Sequence, residues 1–472
     1  RFERSLGGSK DWLTASGNLR LDDDLVLTMR QLLDLMADST DTPGFVRLKD
    51  GQFIALTSAF RRQLEDLRAF SQPGKGEKLR IHPLAALALE DLTEHPAVKV
   101  GAAWKEQLDK IREGASDELA EPPSTLQAEL RPYQLEGYRW LRRLAEWGMG
   151  ACLADDMGLG KTVQALAVLL DRAPDGPALV VAPTSVAANW LEEAVRFAPT
   201  LQPVIFGRHG EDRGALLRNA GPFDLVIASY GLLQSEEEAF AELRWHTVIL
   251  DEAQAIKNRA TKRSKAVMKL QADFRIITTG TPVENRLAEL HNLFSFINPG
   301  LLGSEEKFRK SLADPIERKN DAEARDRLRR LIRPFLLRRL KSEVLRDLPS
   351  RTEISLEVEL SPEEAAFYEA LRQKAVDELA QAKETDTESG QAAIRILAHL
   401  MRLRRACCHP KLVDPETPLA SSKLRVFAET LEEILAGNHK VLVFSQFVGH
   451  LHLIRDHLDE QGIAYQYLDG ST

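Results

Sequence analysis

Asp155-Asp156-Met157-Gly158-Leu159-Gly160-Lys161-Thr162 decides the fold. The apolar run Ala151–Ala154 before it reads as a strand, and the residues from Lys161 onward open a helix. Strand, glycine-bearing loop and helix, in that order, make a phosphate-binding loop. Glycines let backbone N–H groups close around phosphate oxygens. The helix N-terminus adds the positive end of its dipole. Lys161 supplies a point charge for the β and γ phosphates, and Thr162 can bind Mg²⁺. Asp156, Met157, Gly158, Leu159, Gly160 and Val163 complete the expected nucleotide-binding stretch. Its first position departs from the usual pattern, because Asp155 stands where glycine is common.

Working outward, short apolar runs alternate with amphipathic helices from about 126 to 345. The expected strands are Ala151–Ala154, Ala178–Ala182, Leu201–Phe206, Leu225–Ala228, Thr247–Leu250 and Arg275–Thr278. Such alternation predicts a parallel sheet covered on both faces. One of these strands ends in Asp251-Glu252-Ala253-Gln254. A carboxylate at a strand's C-terminal end lies beside the phosphate loop in such folds. Asp251 is then placed to hold Mg²⁺ directly or through water, and Glu252 to orient or deprotonate the attacking water. Another strand ends in Thr278-Thr279-Gly280-Thr281-Pro282, which by itself is only a turn with small hydroxyl residues.

Composition sets the frame. The chain has 472 residues, 43% hydrophobic and 28% charged, with 63 basic and 71 acidic residues and a formal charge of −8. This excludes a wholly basic tail protein and a disordered acidic one. No apolar stretch approaches the ~18 residues that span a bilayer, and no signal-peptide pattern opens the chain. Cys152, Cys407 and Cys408 are too few for a disulfide framework. They fit a reducing cytoplasm, in association with the nucleoid in a bacterium or in the nucleus of a eukaryote. The start at Arg1 and the end at Thr472, just after a strand-like run, suggest a stretch of a longer protein. Cys407-Cys408-His409 has no second ligand cluster and reads as a helix end.

Four regions are expected: an accessory domain over 1–125, an ATPase-type lobe over 126–345, a helical insertion or linker over 346–418, and the start of a second lobe over 419–472. In the first, Lys49-Asp50-Gly51 between two apolar runs signals a hairpin, and Ser58 can cap a helix through Phe70. In the last two, strands are expected at Thr352–Leu360, Lys440–Phe444 and Ala464–Leu468.

In combination, these motifs resemble those of superfamily-two helicase-type ATPases, and more narrowly the Swi/Snf family of double-stranded-DNA translocases. Leu130-Arg131-Pro132-Tyr133-Gln134 resembles the family's adenine-recognition segment, so Gln134, with Arg131 beside it, inherits that role. Asp155–Thr162 is similar to the family's own phosphate loop, which also carries an acid at its first position. Ala182-Pro183-Thr184-Ser185 with Asn189-Trp190, and Ala228-Ser229-Tyr230-Gly231, resemble DNA-backbone-contacting segments. Gly280-Thr281-Pro282-Val283-Glu284-Asn285 resembles the coupling motif, implying coupling roles for Thr279, Gly280 and Thr281 and a DNA contact for Asn285. Leu336-Leu337-Arg338-Arg339 and Cys407-Cys408-His409-Pro410 resemble helical landmarks between lobes. Val443-Phe444-Ser445-Gln446-Phe447 resembles the start of the second lobe, with Ser445 and Gln446 on DNA.

The resemblance implies an α/β fold: a RecA-like lobe with a parallel sheet and helical insertions, the start of a second RecA-like lobe, and an N-terminal α+β accessory domain such as prokaryotic members carry. It implies ATP and Mg²⁺ as cofactors, double-stranded DNA as partner, no membrane, and a monomeric motor. Its remodelled protein target is not legible. The family's later arginine-bearing segment lies beyond Thr472. Such an arginine contributes roughly 10³–10⁵ in rate, so this stretch alone is expected to bind ATP and hydrolyse it poorly. Two basic clusters, 325–351 and 391–411, are further candidates for phosphate contact. An RNA or DNA unwinding helicase, a nucleotide-switched scaffold and a small-molecule kinase are the competing readings. The Swi/Snf-like spacing opposes the first, the intact Lys161, Asp251 and Glu252 the second, and the second α/β pattern the third.

Overall fold

Where apolar residues run without interruption, as in Ala178–Ala182, a strand can be covered on both faces, and all five of these residues are buried. The computed structural model describes residues 2–8, 13–20, 26–38, 45–48, 52–74, 76, 78–92, 98–113, 120–207, 213–280, 286–344, 353–385, 389–470 and 472. They fall into two compact units, Arg1–Leu348 and Pro349–Thr472.

The first unit holds two sheets and a hairpin. Strands β1 (Phe2–Gly8), β2 (Leu13–Arg20) and β3 (Val26–Thr28) come first. Next are β4 (Phe45–Arg47) and β5 (Phe53–Ala55), the expected antiparallel hairpin. Its Lys49-Asp50-Gly51 turn lies outside the described residues. Strands β6 (Ser71–Pro73), β7 (Leu79–Ile81) and β8 (Val98–Val100) follow. They complete a sheet of order β6-β7-β2-β1-β8, with β3 beside β2. The helix Ser58–Phe70 is capped by Thr57 and not by Ser58: the Thr57 hydroxyl accepts from the N–H of Phe60 at 3.3 Å.

The second sheet carries the phosphate loop. Its strands are β9 (Ala151–Leu153), β10 (Ala178–Ala182), β11 (Gln202–Ile205), β12 (Asp224–Ser229), β13 (Arg244–Asp251), β14 (Gln271–Thr278) and β15 (Leu336–Leu337). The order is β11-β12-β10-β13-β14-β9-β15, and every pairing is parallel. All six expected strands are present. The seventh, β15, corrects the helical reading of Leu336-Leu337. Two leucines find ladder partners in Cys152 and Leu153, and that pairing overrides local propensity.

The second unit is largely helical, with Pro362–Thr385, Ser389–Cys408, Ser422–Ala436 and Val448–Glu460. The expected strands Thr352–Leu360, Lys440–Phe444 and Ala464–Leu468 join no ladder among the described residues, which exclude Thr352. A strand requires a neighbour that faces its N–H and C=O groups. Without one, Leu442, Phe444 and Leu468 stand 85%, 88% and 79% exposed.

Candidate active site

Parallel strands deliver their C-terminal ends to one edge of the sheet, where ligands bind in open α/β folds. Three adjacent strands end level here. Asp251 on β13 pairs with Thr278 on β14, and Thr278 pairs with Leu153 on β9. Two inter-strand steps of about 4.8 Å separate the outer members. The phosphate loop leaves from Leu153, bends through Gly158 (φ 81°) and Gly160 (φ 74°), and enters the helix Lys161–Arg172. The positive φ of Gly160 requires glycine, and a Cβ there would also displace the Gln134 amide nitrogen, 2.4 Å away.

Lys161 sits at the head of that helix and donates to the carbonyl oxygens of Asp155 (2.7 Å) and Asp156 (3.4 Å). Burial lowers its pKa from the usual lysine value. The carboxylates of Glu252, Asp155, Asp251 and Asp156 act against that shift, Glu252 most strongly of the four. Lys161 and the two strand-end acids are therefore near enough for both carboxylates to act on its charge.

Asp251 is tightly held. Trp190 donates its indole N–H to Oδ2 at 2.8 Å, while the Thr278 hydroxyl and the Glu252 N–H donate to Oδ1. Tyr230 donates its hydroxyl to the Asp251 carbonyl at 2.8 Å. Burial, followed by the charges of Asp251 and Glu252, raises the Tyr230 pKa well above the ordinary value. A carboxylate offers about four acceptor positions, and three donors already occupy this one. The remaining capacity fits Mg²⁺ held through water, since that ion keeps several waters and takes one or two carboxylates plus phosphate oxygens. Thr162 is half-buried at the helix start.

Glu252 adopts a left-handed conformation (φ 48°), uncommon for a residue with a side chain. Gln254 donates to its Oε2 at 2.9 Å and accepts from the Thr279 hydroxyl at 3.2 Å. The acid at the end of β13 is thereby linked to the turn after β14. Gly280 lies beside this relay, whereas Thr281 and Asn285 lie outside the described residues.

Several expectations need correction. Trp190 and Tyr230 are 1% and 4% exposed and turn inward onto Asp251, so they position that acid and do not face a duplex. Ser229 caps the helix Tyr230–Ser235 by accepting from the N–H of Leu232. Thr184, Ser185 and Asn189 are exposed on the helix Thr184–Phe197, as a surface contact requires. Gln134 is 9% exposed; its oxygen accepts from the N–H of Arg131 and its nitrogen donates to the Leu159 carbonyl. Reading an adenine edge would require this amide to exchange those partners. Asp155 is fully buried and pairs with Arg339, so its carboxylate does not face the phosphate side of the loop. Arg327 and Arg330 of the first basic cluster pair with Glu65 and Asp66, and Arg346 and Arg351 lie outside the described residues. In the second unit, Gln446 is exposed and accepts from Arg404, and the Ser445 hydroxyl accepts from the N–H of Phe447. No three metal-ligating side chains converge among the described residues.

The sequence reading missed Gln254, Thr278 and Gln164 as members of the site. Each lies within or beside a motif that was recognised, but only the fold reveals its partner.

Comparison with known proteins shows the family of this chain. Residues 133–412 match the model of the SNF2-related domain. YwqA of Bacillus subtilis (strain 168), provisionally named an ATP-dependent helicase/translocase, is 41% identical over 358 residues, which is 72% of this chain and 38% of that protein. The ISWI chromatin-remodeling complex ATPase CHR11 of Arabidopsis thaliana is 35% identical over 387 residues, covering 78% of this chain and 36% of that one. A solved structure of the Sulfolobus solfataricus SWI2/SNF2 ATPase core in complex with dsDNA is 36% identical, covers 75% of each chain and gives a TM-score of 0.48. The chain thus spans little more than a third of these curated relatives. With more than half of its length inside the family model, this chain belongs to the SNF2-related domain family.

Proposed function

We propose that this chain is the ATP-hydrolysing core of a Swi/Snf-type motor that moves along double-stranded DNA and displaces or remodels bound proteins. One observation carries the reading: the ends of β9, β13 and β14 are in register, with Lys161 in the field of Glu252 and Asp251.

Lys161 leaves the loop carbonyls and takes the β and γ phosphates, while the N–H groups around Gly158–Thr162 surround their oxygens. Mg²⁺ would be held by Thr162 and, through water, by Asp251, and would neutralise charge developing on the transferred phosphoryl group. Glu252 accepts the proton of the attacking water or orients it. Arg131 and Gln134 border the adenine position, with Met157 and Val163 flanking the loop. The Gln254–Thr279 relay conveys the state of Glu252 to the turn after β14, where Gly280 and Thr281 act in coupling. Exposed Thr184, Ser185 and Asn189 contact the DNA backbone, Asn285 does so from the coupling motif, and Ser445 and Gln446 contribute from the second unit. Such contacts carry little sequence information, so movement along DNA is sequence-tolerant. Names of relatives in chromatin remodelling support this choice.

The test is the ATP hydrolysis rate of the intact protein without nucleic acid and with duplex DNA, single strands or RNA. Duplex DNA should stimulate most. Stronger stimulation by RNA would contradict the proposal.

A further inference from the structure

Asp155 is a carboxylate with no exposed surface at the mouth of the phosphate loop, where an isolated charge would be costly to bury. Its partner comes from the strand beyond. Arg339 donates from Nε to Oδ1 at 3.0 Å and from Nη2 to Oδ2, a two-pronged pairing that only a guanidinium can make. Its backbone N–H also donates to Oδ1 at 3.0 Å. The same side chain reaches Gln164 Oε1 at 2.8 Å, donates to the Tyr133 carbonyl, and lies 5.2 Å from the centre of the Tyr133 ring. One residue therefore touches the start of the adenine-side helix, the first loop position and the helix that begins at Lys161.

The backbone reinforces this. The β9–β15 ladder continues beyond Leu337, with Ala154 donating to the Leu337 carbonyl at 2.7 Å and Asp156 to the Arg339 carbonyl at 3.0 Å. Lys341 donates its N–H to Asp156 Oδ2 at 3.0 Å. Gly137 leaves the space this demands: a Cβ there would lie 1.9 Å from Gln164 Oε1 and 2.8 Å from Arg339 Nη2. The loop cannot change shape without moving segment 336–341, and the chain enters its second unit shortly afterwards, at Pro349.

We propose that Arg339 is a positioning residue: through Asp155 it sets the phosphate loop in its nucleotide-binding shape, and it transmits nucleotide occupancy to segment 336–341. This rests on the loop being an ATP site. Packed elements with shared hydrogen bonds move between discrete arrangements and not continuously, so occupancy at Lys161 should be detectable at residue 339.

Hydrogen exchange of the intact wild-type protein, with and without a non-hydrolysable ATP analogue, gives the first readout. Amides of both 156–162 and 337–341 should be protected about fivefold or more by the analogue. Protection of 156–162 alone would overturn the proposal while leaving the ATP site standing. Protection of neither would overturn both. The second readout is affinity for the analogue. Arg339→Gln strands a buried carboxylate and can unfold the protein, so the paired variant Asp155→Asn with Arg339→Gln removes both charges together. This variant should remain folded by circular dichroism and bind the analogue roughly 10-fold or more weakly, as misplacement of a positioned group does. Affinity within about twofold of wild type in the folded double variant would overturn the positioning role.

Discussion

Trp190 illustrates how a single side chain can be misassigned by its motif. A tryptophan in a segment resembling a DNA contact reads as a surface group, yet its ring is buried and its N–H holds Asp251. The neighbouring Asn189 faces outward, so one helix presents a surface and a buried donor at adjacent positions. Trp190→Phe keeps an aromatic ring in the core and removes one donor from the carboxylate. A hydrogen bond to a charged group contributes about 1.5–3 kcal/mol. The loss should lower turnover at saturating ATP by roughly tenfold or more, with the ATP concentration for half-maximal rate nearly unchanged. Steady-state kinetics checks this, and unaltered turnover would show that Trp190 does not position Asp251.

Among the elements, the six strands expected in the ATPase-type lobe were legible because each is an apolar run bounded by loop residues, the pattern of strands covered on both faces. The phosphate loop was legible because strand, glycines and helix follow one another directly. β15 was not, since two leucines have no period and only Cys152 and Leu153 make them a strand. The reverse error has the same origin. Lys440–Phe444 has strand composition, but the backbone finds no ladder among the described residues. Composition reports which face of an element is apolar; a sheet also needs a partner, and partners are distant in sequence. For the same reason Lys161, Asp251 and Glu252 stood out from local motifs, whereas the Asp155–Arg339 pairing did not.

At the scale of the whole molecule, the described residues before 114 lie in the same compact unit as the sheet that carries the phosphate loop. Arg327 pairs with Glu65 at 2.7 Å and Arg330 with Asp66 at 2.8 Å, joining the helix Ala322–Ile332 to the helix Ser58–Phe70. Burial raises the Asp66 pKa even though Arg330 and Arg327 oppose the shift. Lys307, on the helix Glu305–Phe308, lies within reach of the Arg68 charge. Burial, helped by the charge of Arg68, lowers its pKa from 10.5 to about 8. Below that pH the amine is charged in both folded and unfolded chains, and its burial opposes folding. Between about 8 and 10.5 the folded form has released a proton that the unfolded chain still holds, so stability rises across that window. Lys307→Met should raise stability at neutral pH and flatten this rise. Denaturation midpoints of both proteins at pH 7, 9 and 10 test it, and parallel profiles would contradict it.

The ends of β9, β13 and β14 lie side by side, and the proposed triphosphate site rests on that register. Glu252→Gln preserves shape while removing the carboxylate proposed to accept a proton from water or orient it. In the intact protein, ATP affinity and ATP turnover measured side by side test the claim most directly. Affinity should stay within about twofold, while hydrolysis falls by roughly 10²–10⁴, the usual contribution of a general base. Turnover equal to wild type would contradict the assignment of this pocket as the catalytic centre.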